Sequence, residues 1–395
     1  MADERALDVV VFGATGFTGG LVAEYLSTRG SGSPGRPLRW ALAGRDQAKL
    51  ERVRDSLSKR QDLPQIVIAN ASDERALREM AKTTRVVLTT VGPYLRHGEP
   101  LVRACAESGT HYVDLTGEEP FVALVRERYD SIARAHGAKI INACGFDSIP
   151  HDLGAYFTLQ KLRARLPAAE RESAPITIEG IVRANGAISG GTWHSALEMM
   201  GNVGGRAGLK LLPRPAEGAR RVGATPRSIR YRPELSLWTA PMPTIDPLVV
   251  LESARVLPEY GPDFRYGHFV GLKHWYEVAG LALGAGSVFA LARFGPTRAL
   301  LGKFKSPGEG PSEQVRKKSW FRVIFQGHSA GQRVHCEVRG GDAGYTETAK
   351  MIAEAALSLA FDSLPAQYGV VTTAIGIGQP LIDRLVAAGI SFEEL

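Results

Sequence analysis

The first 150 positions alternate between short apolar runs and longer segments in which apolar and polar residues are mixed. The run Val9–Phe12 has no polar position, which is typical of a strand buried on both faces of a parallel sheet. In Leu21–Leu26 the apolar residues recur instead at helical spacing. This succession of strands and helices predicts a doubly wound, Rossmann-type α/β domain.

The individual elements of this domain follow from the same pattern. The predicted strands are Val9–Phe12, Leu38–Ala43, Ile66–Ala69, Arg85–Val91, Tyr112–Asp114 and Ala138–Asn142. After the first helix, the predicted helices are Asp46–Lys59, Asp73–Ala81, Glu99–Glu107 and Pro120–His136. Because a helix separates successive strands, we expect the strands to run parallel.

The pattern changes after about Pro150. Four later segments alternate apolar and polar residues, as strands with one solvent-exposed face do: Thr177–Arg183, Leu248–Val256, Trp320–Phe325 and Arg333–Arg339. We therefore expect a Rossmann-type domain over 1–150 and an α+β domain with a mostly antiparallel sheet over 151–343. The remaining residues, 344–395, predict helices that pack back on the first domain.

A glycine-rich turn stands between the first strand and the first helix. A strand, such a turn and a helix in this order are the context in which dinucleotides are bound. Gly13 would allow the tight turn, Gly16 would admit a pyrophosphate, and Gly19 would let helix and strand pack closely. The predicted cofactor-binding residues of this turn are Gly13, Thr15, Gly16, Phe17, Thr18 and Gly19. The spacing is G-x-x-G-x-x-G, a variant of the usual fingerprint, and a turn without a ligand is the alternative.

The second predicted strand ends in Ala43-Gly44-Arg45-Asp46, where this fold contacts the adenosine ribose. An acid at that position would favour NAD, whereas the Arg45 guanidinium offers a partner for a 2′-phosphate. We therefore predict NADP(H) as the cofactor. Asp46 is expected to cap the following helix. The alternative for Arg45 is a surface salt bridge.

The fourth predicted strand leads into a loop that should run along the cofactor, because ligands lie beyond the carboxyl ends of the strands. Its predicted cofactor contacts are Thr90, Val91, Gly92 and Pro93. Tyr94 follows and is our candidate for the catalytic hydrogen-bond donor to a carbonyl or enolate oxygen. The alternative is a tyrosine ring packed against the cofactor or the domain boundary.

The sixth predicted strand leads into the second domain, so the residues after it should line the cleft. Asp147, Ser148 and His151 are the candidate polar groups there, and Asp147 is the second predicted catalytic residue. Alternatively, Asp147 caps the next helix and His151 lies on its outer face. Cys144 is expected in the core. A further loop, Ser189–Ser195, either contacts substrate or simply caps a helix.

Composition supports an ordinary globular protein, because 44% of the 395 residues are hydrophobic and 23% are charged. The three cysteines form no C-x-x-C pair, and no signal peptide precedes the first strand, so a cytoplasmic location is expected. No Tyr-x-x-x-Lys pair, Walker A motif or G-x-S-x-G elbow occurs. The nine histidines lack metal-ligand spacing, so no metal site is predicted.

The net charge of +7 is concentrated in one stretch. Between Arg206 and Arg232 lie eight basic residues and the single acid Glu217. A local patch of this kind indicates an anionic partner such as an acyl carrier domain, a phosphorylated substrate arm or an anionic lipid surface. Nucleic acid is not expected, because Tyr231 is the one aromatic residue there. The alternative is a solvated loop.

The longest apolar stretch is Val278–Ala292. Its 15 residues fall short of the roughly 20 that span a bilayer. The preferred interpretation is a buried helix. A helix in a membrane surface, which would make the protein a peripheral one, or a helix that lines a pocket for a lipid chain are the alternatives.

Several of these segments together resemble the saccharopine dehydrogenase family, in its saccharopine-dehydrogenase-like oxidoreductase branch. They are VVFGATGFTGG, LAGR, TTVGPYLRHGEPLVRACAESGTHYVDLTGE, GFDSIPHDLG and SGGTWHSA, which run in order through the first half of the chain. Within that branch the chain is most similar to the mycobacterial trans-acting enoyl reductases. The second half matches only loosely.

The resemblance implies an NADPH-dependent reductase that acts on a double bond of a lipid or polyketide thioester, carried on an acyl carrier domain. Hydride would pass to the β-carbon, and a donor would stabilise the resulting oxyanion. Two alternatives are kept. One is a dehydrogenase of the same family that acts on an amino acid or imine. The other is a non-catalytic, NADP-binding adaptor at a membrane surface.

Overall fold

The computed structural model describes residues 5–29, 31–33, 36–57, 63–185, 220–242, 244–292, 294, 296–297, 300 and 310–395. The strands within these ranges are β1 Leu7–Phe12, β2 Ser31–Ser33, β3 Arg36–Pro37, β4 Trp40–Gly44, β5 Gln65–Ile68, β6 Thr84–Thr89, β7 His111–Val113, β8 Lys139–Ile141, β9 Ile176–Asn185, β10 Arg221–Ala224, β11 Arg230–Arg232, β12 Leu237–Pro241, β13 Asp263–Leu272, β14 Trp320–Ser329, β15 Gln332–Gly340, β16 Gly369–Val370 and β17 Ser391–Glu394.

The helices within the same ranges are α1 Phe17–Arg29, α2 Gln47–Ser56, α3 Glu74–Thr83, α4 Tyr94–His97, α5 Glu99–Ser108, α6 Glu119–Ala135, α7 Ile149–Arg165, α8 Asp246–Val256, α9 Trp275–Ala292, α10 Glu313–Lys318, α11 Thr346–Phe361, α12 Thr373–Gly376 and α13 Gln379–Ala387. Single 3₁₀ turns occur at Pro233–Leu235 and Pro258–Tyr260.

The first sheet is the predicted parallel one. Its strand order is β16-β8-β7-β6-β1-β4-β5, and every pair in it is parallel. Successive residues of β1 point to opposite faces, and both faces are covered by helices. Val9 and Val11 belong to one buried cluster, and Val10 and Phe12 belong to another. The uninterrupted apolar run is therefore explained by burial on both sides.

The strand β16 at one edge of this sheet was not predicted. It has two residues and pairs in parallel with β8, Gly369 with Lys139 and Val370 with Ile140. The Lys139 ammonium donates to the carbonyls of Pro365 and Gly376, the latter at 2.9 Å, and burial lowers the pKa of this lysine to about 8. The C-terminal part of the chain thus completes the sheet.

The second sheet is mixed, with the main order β11-β12-β13-β9-β14-β15-β17. The pair β9–β13 is parallel, whereas β14 pairs in antiparallel fashion with both β9 and β15. Helix α7 packs on one face of this sheet, where Leu153 and Leu159 join Phe325 and Val338 in one buried cluster. The fold class is therefore the expected one, an α/β Rossmann-type domain combined with an α+β domain.

The prediction of an alternating strand at Leu248–Val256 is wrong. It lies in α8, which begins with Asp246 and a proline in its first turn, a common helix start. Residues 249–254 are all buried, because α8 lies between α7 and β13. Burial on several sides removes the one-sided polarity on which the strand prediction depended.

The C-terminal helix α11 packs against α1. The buried Glu354 carboxylate accepts from Tyr25 Oη at 2.5 Å and from Arg29 Nε at 2.7 Å, both on α1, and lies 3.4 Å from Arg384 of α13. Strand β17 then pairs with β15, so the tail also extends the second sheet.

Helix α9 contains the apolar stretch that was expected to be buried, and this expectation is wrong for most of the described side chains, Val278 and Ala292 being buried. Leu283 is 73% exposed and Trp275 is 66% exposed. By length and composition the helix is long and apolar enough to cross a membrane. Most of its described side chains are exposed.

Candidate cofactor and active site

The glycine-rich turn between β1 and α1 has the geometry that its glycines predict. Gly13 adopts a φ of 93°, which is favourable only for glycine, and its N–H donates to Ala43 O at 2.9 Å. A Cβ at Gly19 would lie 2.2 Å from Gly13 O, so helix and turn approach too closely for any side chain. Gly16 N–H closes the turn on Gly13 O at 3.0 Å.

The start of α1 faces the same turn. Thr15 and Gly16 are exposed, and Phe17 and Thr18 are half-buried at the first helical positions. The N–H groups of a first helical turn lack intrahelical acceptors and favour an anion, so this end of α1 suits a pyrophosphate. The Phe17 ring itself points elsewhere, with its centroid 4.9 Å from that of Tyr345.

Arg45 lies at the carboxyl end of β4, one strand away from the turn. Its side chain is exposed, and within the described residues no ion pair engages it. The neighbouring Asp46 is the N-cap of α2 and accepts from Lys49 N at 3.0 Å, which confirms the predicted cap. The guanidinium is therefore free to meet a 2′-phosphate, while the adjacent carboxylate is already engaged.

The loop Thr90–Pro93 lies directly beside the glycine-rich turn. Thr90 N–H donates to Phe12 O at 3.0 Å, and a Cβ on Gly13 would come within 2.7 Å of Val91. The following residues are held by Glu118, whose carboxylate accepts from Tyr94 N at 3.0 Å and Leu95 N at 2.9 Å. The structure thus brings together all the predicted cofactor-binding residues near β1 and β6, with Arg45 at the next strand.

Tyr94 does not have the environment of a catalytic donor. Its side chain is buried, and its hydroxyl donates to Thr89 O at 3.3 Å and accepts from Leu115 N at 3.2 Å. Burial, together with nearby acidic charge, raises the pKa of this phenol well above its usual value. Since its one proton is used on a backbone carbonyl, Tyr94 links two strand ends, and the predicted oxyanion role is not supported.

Asp147 lies in the turn before α7. Its carboxylate is half-buried and receives no hydrogen bond from the described residues, and burial raises its pKa. The N-cap of α7 is Ser148, which makes no capping side-chain bond, so Asp147 is not the cap that was considered as its alternative. A Cβ on Gly117 would lie 3.7 Å from Asp147 Oδ2, which places the carboxylate beside the segment that carries Glu118.

His151 is on the buried side of α7, not on an outer face. Its Nε2 lies 3.2 Å from Oδ1 of Asp246, and the two rings of His151 and His268 are perpendicular with centroids 4.8 Å apart. Burial lowers the pKa of His151 well below its usual value and that of His268 to about 4, so both imidazoles are neutral near pH 7.

Asp246 and His268 were missed by the sequence analysis. They belong to α8 and β13, about 100 residues beyond His151, and no local spacing connects the three. Burial and the nearby Asp147 charge raise the pKa of Asp246 well above its usual value. The only weak signal was that His268 precedes the uncharged run Phe269–Leu272 at the end of its strand.

Asp114 is a third missed residue, although it lies in a segment quoted for the family resemblance. Its buried carboxylate accepts four hydrogen bonds, from Tyr112 Oη, Thr116 N, Asn142 Nδ2 and Ala143 N, at 2.7–3.0 Å. Burial nevertheless raises its pKa to about 6. It fixes the turn after β8, in which Ala143 has a φ of 60°, and so helps to position Asp147.

Other candidates contribute less to the site. Cys144 is buried, and burial raises the pKa of its thiol, as expected of a core residue. The loop Ser189–Ser195 and residues 206–219 of the basic stretch lie outside the described residues. In the described part, Arg220 donates to backbone carbonyls, Arg221 pairs with Asp263, and Arg230 and Arg232 pair with Glu179. These arginines mainly hold the second sheet together.

Comparison with known proteins places these features in a family. Residues 9–144 match the saccharopine dehydrogenase NADP-binding domain. A Mycobacterium tuberculosis protein, provisionally named a trans-acting enoyl reductase, is 35% identical over 424 residues, which covers 99% of this chain and 98% of that protein. The human saccharopine dehydrogenase-like oxidoreductase is 34% identical over 429 residues, 99% of this chain and 97% of its own.

The fold has a solved counterpart at low sequence identity. The apo saccharopine dehydrogenase (L-Glu forming) of Saccharomyces cerevisiae superposes with a TM-score of 0.55 at 11% identity and covers 98% of this chain and 99% of its own. The match supports the two-domain architecture, and the family domain supports NADP(H) as the cofactor.

Replacement of Arg45 should separate the two nicotinamide cofactors. We expect Arg45→Ala to weaken NADPH binding by about 10- to 100-fold, the cost of a charge-assisted hydrogen bond to phosphate, and to leave NADH binding unchanged. Cofactor fluorescence titration measures both constants. Arg52→Ala, an exposed arginine of α2, is the control and should bind NADPH like the wild type. An equal loss for NADH and NADPH would contradict the 2′-phosphate contact.

Replacement of Tyr94 should affect stability more than catalysis. Tyr94→Phe leaves Leu115 N–H without its buried acceptor, so we expect the free energy of unfolding to fall by about 1–2 kcal/mol. Urea denaturation measures this loss, while kcat with a reducible substrate should change less than about threefold, because the ring and loop remain. A fall in kcat of about 100-fold at unchanged NADPH affinity would restore the catalytic role.

Proposed function

The chain belongs to the saccharopine dehydrogenase family and is an NADP-dependent oxidoreductase, and on this premise we propose that it reduces the carbon–carbon double bond of an enoyl thioester in a lipid or polyketide intermediate. The name of the mycobacterial relative, which aligns over nearly the whole chain, favours this substrate class. An acyl carrier domain is the expected bearer of the thioester, and the cytoplasm is the expected compartment.

The observation that carries the proposal is the position of Asp147. Its carboxyl group has no hydrogen-bond partner among the described residues. It lies beside Gly117, and the next residue, Glu118, holds the loop after β6. Parallel sheets bind ligands beyond the carboxyl ends of their strands, and Asp147 follows such an end at β8. A raised pKa keeps a larger share of this carboxyl protonated than in an ordinary aspartate.

Each part of the site has a role in such a reduction. The turn Gly13–Gly19 binds the pyrophosphate, Arg45 binds the 2′-phosphate, and Thr90–Pro93 borders the nicotinamide half. NADPH, when bound, supplies the hydride that adds to the β-carbon. The negative charge then lies on the thioester oxygen and the α-carbon, and a proton must reach that carbon.

We assign that proton to the Asp147 carboxyl group. Donation from Oδ2 to the α-carbon completes the saturated thioester, and the resulting carboxylate is protonated again from solvent. A positioned acid of this kind contributes about 10²- to 10⁴-fold to a rate. Asp114 supports it indirectly, because its four hydrogen bonds fix the turn from which Asp147 projects.

The reaction can be tested with purified protein, NADPH and 2-enoyl thioesters of pantetheine, free and attached to an acyl carrier protein. We expect loss of NADPH absorbance, a saturated product that is heavier by two hydrogens, and deuterium at the β-carbon when the transferred hydride of NADPH is labelled. Asp147→Asn should lower kcat by about 100-fold or more at unchanged NADPH affinity. Asp383→Asn, an exposed aspartate of α13, is the matched control.

Other outcomes would identify another function. Turnover of an amino acid or imine, without enoyl reduction, would favour the dehydrogenase alternative. Tight NADPH binding without turnover of any of these substrates would favour the adaptor. Enoyl reduction that persists in Asp147→Asn would remove Asp147 from the mechanism and leave the reaction class intact.

We further propose that the enzyme works at the surface of an anionic membrane through α9. The exposed residues of this helix include Leu281, Leu283 and Leu291, with Trp275 and Tyr276 at its first turn. Aromatic residues at one end of an apolar helix are typical of the membrane interface. The sequence after the helix, 293–305, contains four basic residues and no acidic one, which complements anionic lipid.

A helix parallel to the membrane fits the fold better than one that crosses it. Strand β13 ends at Leu272, just before α9, and the chain returns at Gly310, where a Cβ would lie 2.2 Å from the Phe17 ring. Both ends of α9 therefore lead back to the same body. A crossing helix would leave its ends on opposite sides of the bilayer, and the basic segment 293–305 would have to cross back.

Vesicle sedimentation tests this placement. We expect wild-type protein to bind vesicles of phosphatidylcholine with phosphatidylglycerol more tightly than phosphatidylcholine alone, and Leu283→Glu to weaken binding by about 10-fold or more, because a buried leucine contributes about 2 kcal/mol. Val386→Glu, also an exposed apolar position, is the control and should bind normally. Equal binding by the two variants, or none by the wild type, would contradict the proposal.

A further inference from the structure

Three buried polar side chains from separate parts of the fold meet beside the start of α7. They are His151 of α7, Asp246 of α8 and His268 of β13, each less than 10% exposed. His151 Nε2 lies 3.2 Å from Asp246 Oδ1, and His268 Nε2 lies 3.6 Å from Asp246 Oδ2. One donor atom from each residue lies within 4.8 Å of the other two.

The polar atoms of this cluster are unusually poor in partners. Asp246 Oδ1, His151 Nδ1 and both ring nitrogens of His268 are buried and form no hydrogen bond with the described residues. Buried polar atoms in native proteins are nearly always satisfied, and an exception calls for an unseen water or ion. Of these four atoms, Asp246 Oδ1 and His268 Nε2 lie on the side where the three residues meet, and they indicate a bound species there.

Charge favours a cation over water as that species. The described residues give Asp246 no lysine or arginine partner, and its ion-pair contacts are with these two histidines alone. A buried carboxylate without a counter-charge is costly, and a divalent cation would remove this cost without the protonation that burial otherwise favours at Asp246. The histidines do not provide this charge, because burial disfavours their protonated forms, and a neutral imidazole instead presents a lone pair to a metal.

The distances also suit a metal. Ligands of a tetrahedral ion with bonds of about 2.1 Å lie roughly 3.4 Å apart, which is close to the two separations from Asp246. The remaining separation, within 4.8 Å, closes with a small rotation of one imidazole ring. Two imidazoles and one carboxylate are a donor set typical of divalent transition metals.

We propose that His151, Asp246 and His268 bind one divalent transition-metal ion of the zinc class, with the remaining coordination position taken by water or by a polar group of the substrate. The proposal concerns metal binding alone and holds for any substrate. It also explains why β13 carries a histidine at position 268, between Gly267 and Phe269. The ion would cross-link α7, α8 and the second sheet.

The test uses full-length protein without a histidine tag, stripped with a chelator and dialysed against Zn²⁺ or Co²⁺. We expect elemental mass spectrometry to give one equivalent of metal per chain. The Co²⁺ form should show the visible absorption bands of a low-symmetry site, and Zn²⁺ should raise Tm. Asp246→Asn and His268→Gln should each weaken binding by about 100-fold or more, because even outer partners of metal ligands contribute 10- to 100-fold.

His328→Gln is the matched control, since His328 lies on β14, which β9 separates from β13, and should leave the stoichiometry at one. Circular dichroism shows whether each variant is folded, and the wild-type titration decides the matter even if one variant is not. Failure of the wild type to bind one equivalent, or equal binding by the cluster variants and the control, would overturn the proposal and leave a hydrogen-bonded water cluster.

Discussion

The buried carboxylate of Asp152 joins α7 to two other parts of this fold. It lies on α7 with no exposure to solvent and accepts from Ser253 Oγ of α8 at 2.6 Å, from Thr373 Oγ1 at 2.7 Å and from Ala374 N of α12 at 2.8 Å. These donors come from the second domain and from the C-terminal return. Because α7 begins directly after the turn that carries Asp147, the same carboxylate fixes the candidate active site between the two sheets.

Features that depend on neighbours in sequence were predictable. The glycine-rich turn, the cap at Asp46 and the exposed Arg45 follow from residue types within a few positions of each other, where backbone geometry leaves few choices. Leu248–Val256 was mispredicted because its periodicity is ambiguous until the surrounding elements are known. Contacts over about 100 residues, such as that between His151 and Asp246, leave no trace in local spacing. Local spacing likewise does not show that the Tyr94 hydroxyl donates to a backbone carbonyl.

The cofactor-binding turn is also less self-contained than its motif implies. Phe17 belongs to the glycine-rich turn, yet its ring packs against Tyr345 and lies 5.7 Å from the Arg316 guanidinium, both far along the chain. Gly310 approaches the same ring so closely that no side chain would fit. The cofactor-binding turn therefore packs directly against residues that follow helix α9 in the sequence.

The late position of β16 has a consequence for biosynthesis. This strand pairs with β8 at the edge of the first sheet, although roughly 230 residues separate the two in sequence. At translation rates of about 5–20 residues per second, the ribosome needs on the order of 10–50 s to produce the second strand after the first. Throughout that interval the nascent Rossmann half has an open β8 edge, which is a surface on which chaperones act and on which neighbouring nascent chains aggregate.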